Sequence, residues 1–159
     1  MTESGFLTDL KHSFQEQVPG VFWHKLMDMP HFKGQATRFD TPKPFDLFMK
    51  WQGCEAIAIE GKYMRGYQAF GKRHLRPSQL IGLEHWQKAG GHSYIFLNIV
   101  TDKKKQGDRM NRLLVFDWHS FRKLRVSITK KELLQLPYIE CYKKRYTLTD
   151  TITRMEMGI

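Results

Sequence analysis

Apolar positions recur at helical spacing near the start of the chain, where Leu7, Leu10, Phe14 and Val18 form one stripe. This predicts a helix over 9–18 with Thr8 as its cap, ended by Pro19-Gly20. "VFWHKL", Val21 to Leu26, reads as a strand, and 27–43, with Pro30, Gly34 and Pro42, reads as a loop. "PFDLFMKWQGCEAIAIEGK", Pro44 to Lys62, gives two apolar strands around a turn at Gln52-Gly53. Residues 63–76 mix glycines, aromatics and cations without a period, which predicts a long loop. Pro77 suits a first helical turn, Leu80, Leu83 and Trp86 (with Ile81) supply a core stripe, and Gly90-Gly91 stops the helix. "SYIFLNIV" is a continuous apolar run bounded by turns, as a central strand would be. A charged turn over 102–111 leads into the strand "RLLVFDW", followed by a short helix at 119–124. Thr129 and Glu132 have capping-box spacing and open a helix that ends before Pro137. Residues 138–159 show no clear period, and no internal repeat occurs.

This order predicts an α/β fold: a mixed central β-sheet, antiparallel at the hairpin and flanked by helices. The strand after the Pro77 helix is placed to return parallel by a right-handed crossover. At 159 residues the chain suits one domain, with a core over about 7–118 and a basic C-terminal extension over about 119–159.

Charge narrows the partners. The net charge is +10, distributed as −1 over residues 1–40, +4 over 41–100 and +7 over 101–159, which points to a polyanion. A membrane is the poorer fit, because the longest clean apolar run, Tyr94 to Val100, is far below the roughly 20 residues of a spanning helix. The first residues lack the layout of a secretion signal, so a soluble cytoplasmic protein is expected. Cys54 and Cys141 lack zinc-ligand spacing and read as reduced, mostly buried thiols.

The hairpin carries Asp46, Glu60 and Lys62 where its pattern calls for apolar residues. Side chains alternate across a strand, so Cys54, Ala56, Ala58, Glu60 and Lys62 are expected on one face, with the Glu60 and Lys62 α-carbons about 6.5 to 7 Å apart. A two-residue loop sets Asp46 opposite Ile59, on the wrong face. A three-residue loop with Gly53 left-handed, or an equivalent bulge, sets Asp46 diagonal to Glu60 on the same face, and this longer loop is predicted. Two converging carboxylates repel and call for a cation. Magnesium suits such a pair, with the Gly61 carbonyl as a further ligand and manganese as a substitute. Lys62 then stands where a positive charge favours hydroxide and offsets charge building on a phosphate. The bland alternative is an edge-strand aspartate beside an exposed Glu60–Lys62 ion pair.

"PFD" followed by "EGK" resembles the signature of the PD-(D/E)xK nuclease superfamily, with Phe45 intervening before the aspartate. Within it the chain most resembles the RecU-type Holliday junction resolvases. Those features are a leading helix with Glu16 in "FQEQV", the hairpin, and "LRPSQLIGLEHW" with Gln79 followed by "GGHSYIFLNI", together spanning roughly residues 7–100. The resemblance implies a restriction-endonuclease-like core, metal binding by Asp46 and Glu60, a water positioned by Lys62, support from Gln79, and a further acidic group in Glu16. It also implies hydrolysis to 5′-phosphate and 3′-hydroxyl ends during DNA recombination and repair, in a bacterium or in a phage-infected host. The family's protruding stalk precedes the aspartate strand, where this sequence has only residues 27–43.

Cations follow the hairpin closely. Arg65, Lys72, Arg73 and Arg76, interleaved with Tyr63, Tyr67 and Phe70, are candidates for phosphate contacts and base stacking. Lys103, Lys104, Lys105 and Arg109 form a second basic turn, and Lys143, Lys144 and Arg145 a third. A homodimer is expected, because paired nicks across a symmetric four-way junction call for two sites related by a two-fold axis. The alternatives are an endonuclease acting on flaps, forks or duplex DNA, and a non-catalytic DNA-binding module.

Overall fold

A computed structural model describes residues 2–27, 42–101 and 110–158 of the chain. The expected loop over 27–43 and basic turn over 102–111 lie outside the described residues except at their ends. The first helix, α1 (Glu3–Gln17), begins earlier than the pattern predicts. Its cap is Thr2, whose side chain accepts from the Gly5 N–H at 3.2 Å. Thr8 lies inside the helix and donates to the Ser4 carbonyl, because the buried pair Phe6 and Leu7 extends the apolar stripe back by a turn.

Next come β1 (Phe22–Lys25), β2 (Leu47–Lys50), β3 (Ile57–Arg65), α2 (Pro77–Lys88), β4 (His92–Val100) and β5 (Asn111–Asp117). They are followed by α3 (Trp118–Phe121), α4 (Lys130–Gln135), β6 (Ile139–Tyr142), β7 (Arg145–Tyr146) and α5 (Thr149–Met157). Two expectations for the middle of the chain change. Tyr63, Met64 and Arg65 extend β3 instead of opening a loop, and Lys72–His74 form a 3₁₀ turn.

Among the described residues the strands form one α/β sheet in the order β1-β2-β3-β4-β5-β6-β7. Every neighbouring pair is antiparallel except β3 and β4, which run parallel from Ile57↔His92 to Arg65↔Val100 and are joined through α2. The sheet is mixed, with the parallel return where the sequence placed it. It also curls, since α1 packs against both β3 and β7. No helix among the described residues is long and apolar enough to cross a membrane.

Two cores follow from the alternation of β3. Ile57 and Ile59 face α1 with Phe6, Leu10, Phe14, Leu47 and Met49, while Ala58 and Met64 lie on the opposite side with Leu83, Ile95, Leu97, Trp118 and Phe121. The first core extends past the expected 7–118 boundary at both ends, taking in Phe6, Tyr146, Leu148 and Met155. A buried clamp ties these ends together: the Ser13 hydroxyl accepts from the Tyr146 N–H at 3.0 Å, and the Gln17 amide bridges Tyr146 O and Leu148 N–H.

The hairpin ladder pairs Leu47↔Ile59, Phe48↔Ala58 and Met49↔Ile57. The connection is therefore longer than three residues, running over 51–56, although Gly53 is left-handed at φ 80° as expected. Cys54 departs from the expected face. It belongs to the core under α1, because the chain from Trp51 to Cys54 is a turn and the strand alternation starts only at Ile57.

Two glycines allow close approach at β3 and β2. A β-carbon on Gly61 would lie 2.5 Å from Leu7 Cδ2, so α1 rests almost on the β3 backbone. One on Gly82 would lie 2.6 Å from Pro44 O and 2.7 Å from Pro44 Cα, so α2 is seated on the segment that delivers Asp46. Gly82→Ala is therefore expected to destabilise the protein by about 1–3 kcal/mol through overpacking, against the roughly 1 kcal/mol gain that alanine brings to an open helix. Urea unfolding of the two proteins decides it, and a net gain would mean that the contact is loose.

Candidate active site

Glu60 lies on the α2 side of the central strand, beneath the first turn of that helix, and is fully buried. Gln79 explains why it sits there. The Gln79 Oε1 accepts from the Arg76 N–H at 2.8 Å, the reciprocal bond of a helix start, which leaves the amide nitrogen to donate to Glu60 Oε1. Lys62, two residues along on the same face, places Nζ 2.6 Å from the same oxygen and remains partly exposed. Glu60 Oε2 is buried without a hydrogen-bond partner.

Asp46 arrives from the other strand, one residue outside the ladder. Its N–H donates to Ile59 O at 3.1 Å, and its buried Oδ2 accepts from the Gly61 N–H at 2.9 Å. A strand residue directs its N–H and C=O toward the same edge, so the Gly61 carbonyl is turned to the Asp46 side. The other oxygen, Oδ1, pairs with Lys43 Nζ at 2.7 Å.

The two carboxylates feel each other. Burial, and then the charge of Asp46, push the Glu60 carboxyl up to about 8, with Lys62 opposing the rise. Glu3 adds a smaller push in the same direction.

Asp46, Glu60, Lys62 and Gln79 thus form one cluster, with Gly61 at its edge. Glu16 is not part of it. Its carboxylate pairs with Arg145 Nε at 2.6 Å on the outer surface, toward the far end of α1. The acidic residue of α1 that acts on the site is Glu3, which precedes the helix expected from the sequence. Lys43 was missed as well, and its only signal was the spacing Lys-Pro-x-Asp.

The cationic candidates divide. Arg65, Arg73 and Arg76 are exposed, the last two about the start of α2, beside Gln79. Lys72 is exposed and donates to Arg122 O at 2.7 Å. Tyr67 packs against the second core and accepts from Arg112 Nη1 at 3.5 Å, while Phe70 is buried in that core. Lys103, Lys104, Lys105 and Arg109 lie outside the described residues. Lys143 and Lys144 sit at the tip of the β6–β7 hairpin, on the sheet's last strand pair.

Whether this set suits a divalent ion is decided by its donors. Among the described residues no group of three or more His, Cys, Asp and Glu side chains is arranged to hold a metal. The pair Asp46 and Glu60 nonetheless fits magnesium, which commonly takes only one or two protein carboxylates. Glu60 Oε2 is the oxygen of the pair left without a partner. No family model matches the chain, and no curated protein matches it.

The raised carboxyl fixes the sign of a pH effect. Without metal, folded Glu60 keeps its proton up to about 8, whereas the unfolded chain loses it near the ordinary value of 4.5. The folded state binds the extra proton in that window, so stability is full below it and falls as pH rises through it. Thermal melts in chelator are expected to show Glu60→Gln more stable than the wild type at about pH 9 and close to it at about pH 4. A difference that does not grow with pH would return the Glu60 charge to water.

Proposed function

We propose that this chain is a magnesium-dependent DNA endonuclease of the PD-(D/E)xK kind, built on a restriction-endonuclease-like core and acting as a homodimeric Holliday junction resolvase. The observation that carries the reading is the convergence of Asp46, Glu60 and Lys62 on one face, with a buried carboxylate oxygen left unpartnered. Asp46 and Glu60 would hold the ion, with the Gly61 carbonyl beside them; when bound, it polarises a phosphodiester and favours hydroxide at neutral pH. Manganese is the expected substitute.

The chain's own residues do the rest. Gln79 fixes the rotation of the Glu60 carboxylate by holding Oε1, which Lys62 also contacts, and so leaves Oε2 for the ion. The Lys62 ammonium, on a side chain 16% exposed, orients a water for in-line attack and offsets the charge building on the phosphate, leaving 5′-phosphate and 3′-hydroxyl ends. Arg65 at the end of β3 and Arg73 and Arg76 about the start of α2 supply exposed positive charge for the flanking phosphates. The +10 net charge supports a nucleic acid as the polyanion.

Lys62→Ala is expected to keep DNA binding while cleavage falls by about 10²–10⁴-fold or more. Cutting of a mobile four-way junction, a flap and a linear duplex is compared at one fixed salt concentration, because phosphate-driven affinity depends steeply on salt. Preference for the junction supports resolution. Equal cutting of flap or duplex assigns the same chemistry to another DNA structure. Binding without magnesium-stimulated cutting of any form, unchanged by Asp46→Asn, makes the chain a DNA-binding module.

A further inference from the structure

Both oxygens of Asp46 are engaged: Oδ2 by the Gly61 N–H and Oδ1 by the Lys43 ammonium at 2.7 Å. Glu60, by contrast, concentrates two donors on Oε1 and leaves Oε2 bare. A divalent ion bound between the carboxylates finds Glu60 Oε2 open and Asp46 Oδ1 covered. We propose that Lys43 is a resident counter-ion of this site: it holds Asp46 in the metal-free protein, yields Oδ1 when a divalent cation enters, and is then passed to a phosphate of the DNA.

Several features favour exchange over a merely structural ion pair. Lys43 is delivered by a fixed backbone, since the residue before a proline is confined to extended conformations and Pro44 is seated against Gly82. The side chain is not sealed in: Lys43 is 14% exposed, against 1% for Asp46. The Lys43 side chain therefore reaches solvent in part, whereas the carboxylate is enclosed. Charge points the same way. Asp46 and Lys43 cancel one charge against one, which suits a resting pair out of water. Replacing the Lys43 ammonium with a doubly charged ion leaves an excess of positive charge, which suits an incoming phosphodiester, and the released ammonium stays tethered close by. Lys62 has no such exchange to make, because its partner Oε1 is also held by Gln79.

The inference rests on the metal site proposed above, and the experiment separates the two. Magnesium and manganese binding is measured by calorimetry without DNA for the wild type, Lys43→Met, Lys43→Arg and Asp46→Asn. The melting temperature of each is recorded with chelator and with magnesium. Removing a competing ammonium is expected to tighten metal binding by about tenfold. Lys43→Met should also melt below the wild type in chelator, where Asp46 has lost its counter-ion, and gain more from magnesium. Lys43→Arg keeps the charge and should stay near the wild type. A second readout concerns DNA: at saturating metal, Lys43→Met should raise KM more than it lowers kcat. Wild-type binding that Asp46→Asn abolishes but Lys43→Met leaves unchanged or weakens overturns the counter-ion alone. Binding of magnesium that is absent in the wild type, or indifferent to Asp46→Asn, overturns the metal site and the counter-ion together.

Discussion

Two acid side chains share a dry space on one face of this sheet, and much of the surrounding structure is arranged around that fact. Removing a carboxylate from water is costly, and a second one nearby adds repulsion. The chain meets the cost with four groups from three places: the Gly61 N–H and Lys62 from β3, Gln79 from α2, and Lys43 from the segment before β2. Glu60 nevertheless remains raised to about 8, so the compensation is incomplete by design of the fold. A residual electrostatic deficit of this kind is the feature from which the proposed cation site starts, and it weakens the protein as pH rises through that range.

The parallel pairing of β3 with β4 makes this geometry available. The crossover through α2 carries the start of that helix over β3, so its first turn meets Glu60 from above. An antiparallel neighbour would arrive by a short turn and bring no helix N-terminus to the face. Asp46 is set by a different device. It sits just outside the ladder, where the chain is free to bend, and Pro44 against Gly82 holds the bend in place.

How much of this was legible in the sequence depends on whether the signal was local. The mixed α/β sheet, the parallel return, the Pro77 helix and the Thr129 capping box follow from periodicity and turn residues, and all are present. The shared face of Asp46 and Glu60 depended on the loop between the strands, and its length was not legible, because Trp51 and Cys54 turn into the core instead of continuing the strands. Glu16 entered only through the resemblance, and the capping Thr2 moves the true helix start back to Glu3. The C-terminal hairpin was invisible for a chemical reason. Its tip places Lys143 and Lys144 at φ 47° and 63°, a conformation usually given to glycine or asparagine, so no turn signature marks it. Its burial against α1 through Tyr146 is a long-range event that no window of sequence contains.

Gly61 carries an implication for how this chain is free to vary. One side of its backbone supplies the N–H that steadies Asp46, and the other is pressed by Leu7 at a distance that leaves no room for a methyl group. The wall between the acidic pocket and the apolar interior is a single peptide thick. A side chain gained at position 61 would meet the tip of Leu7, so thickening the wall asks the helix behind it to move that tip aside.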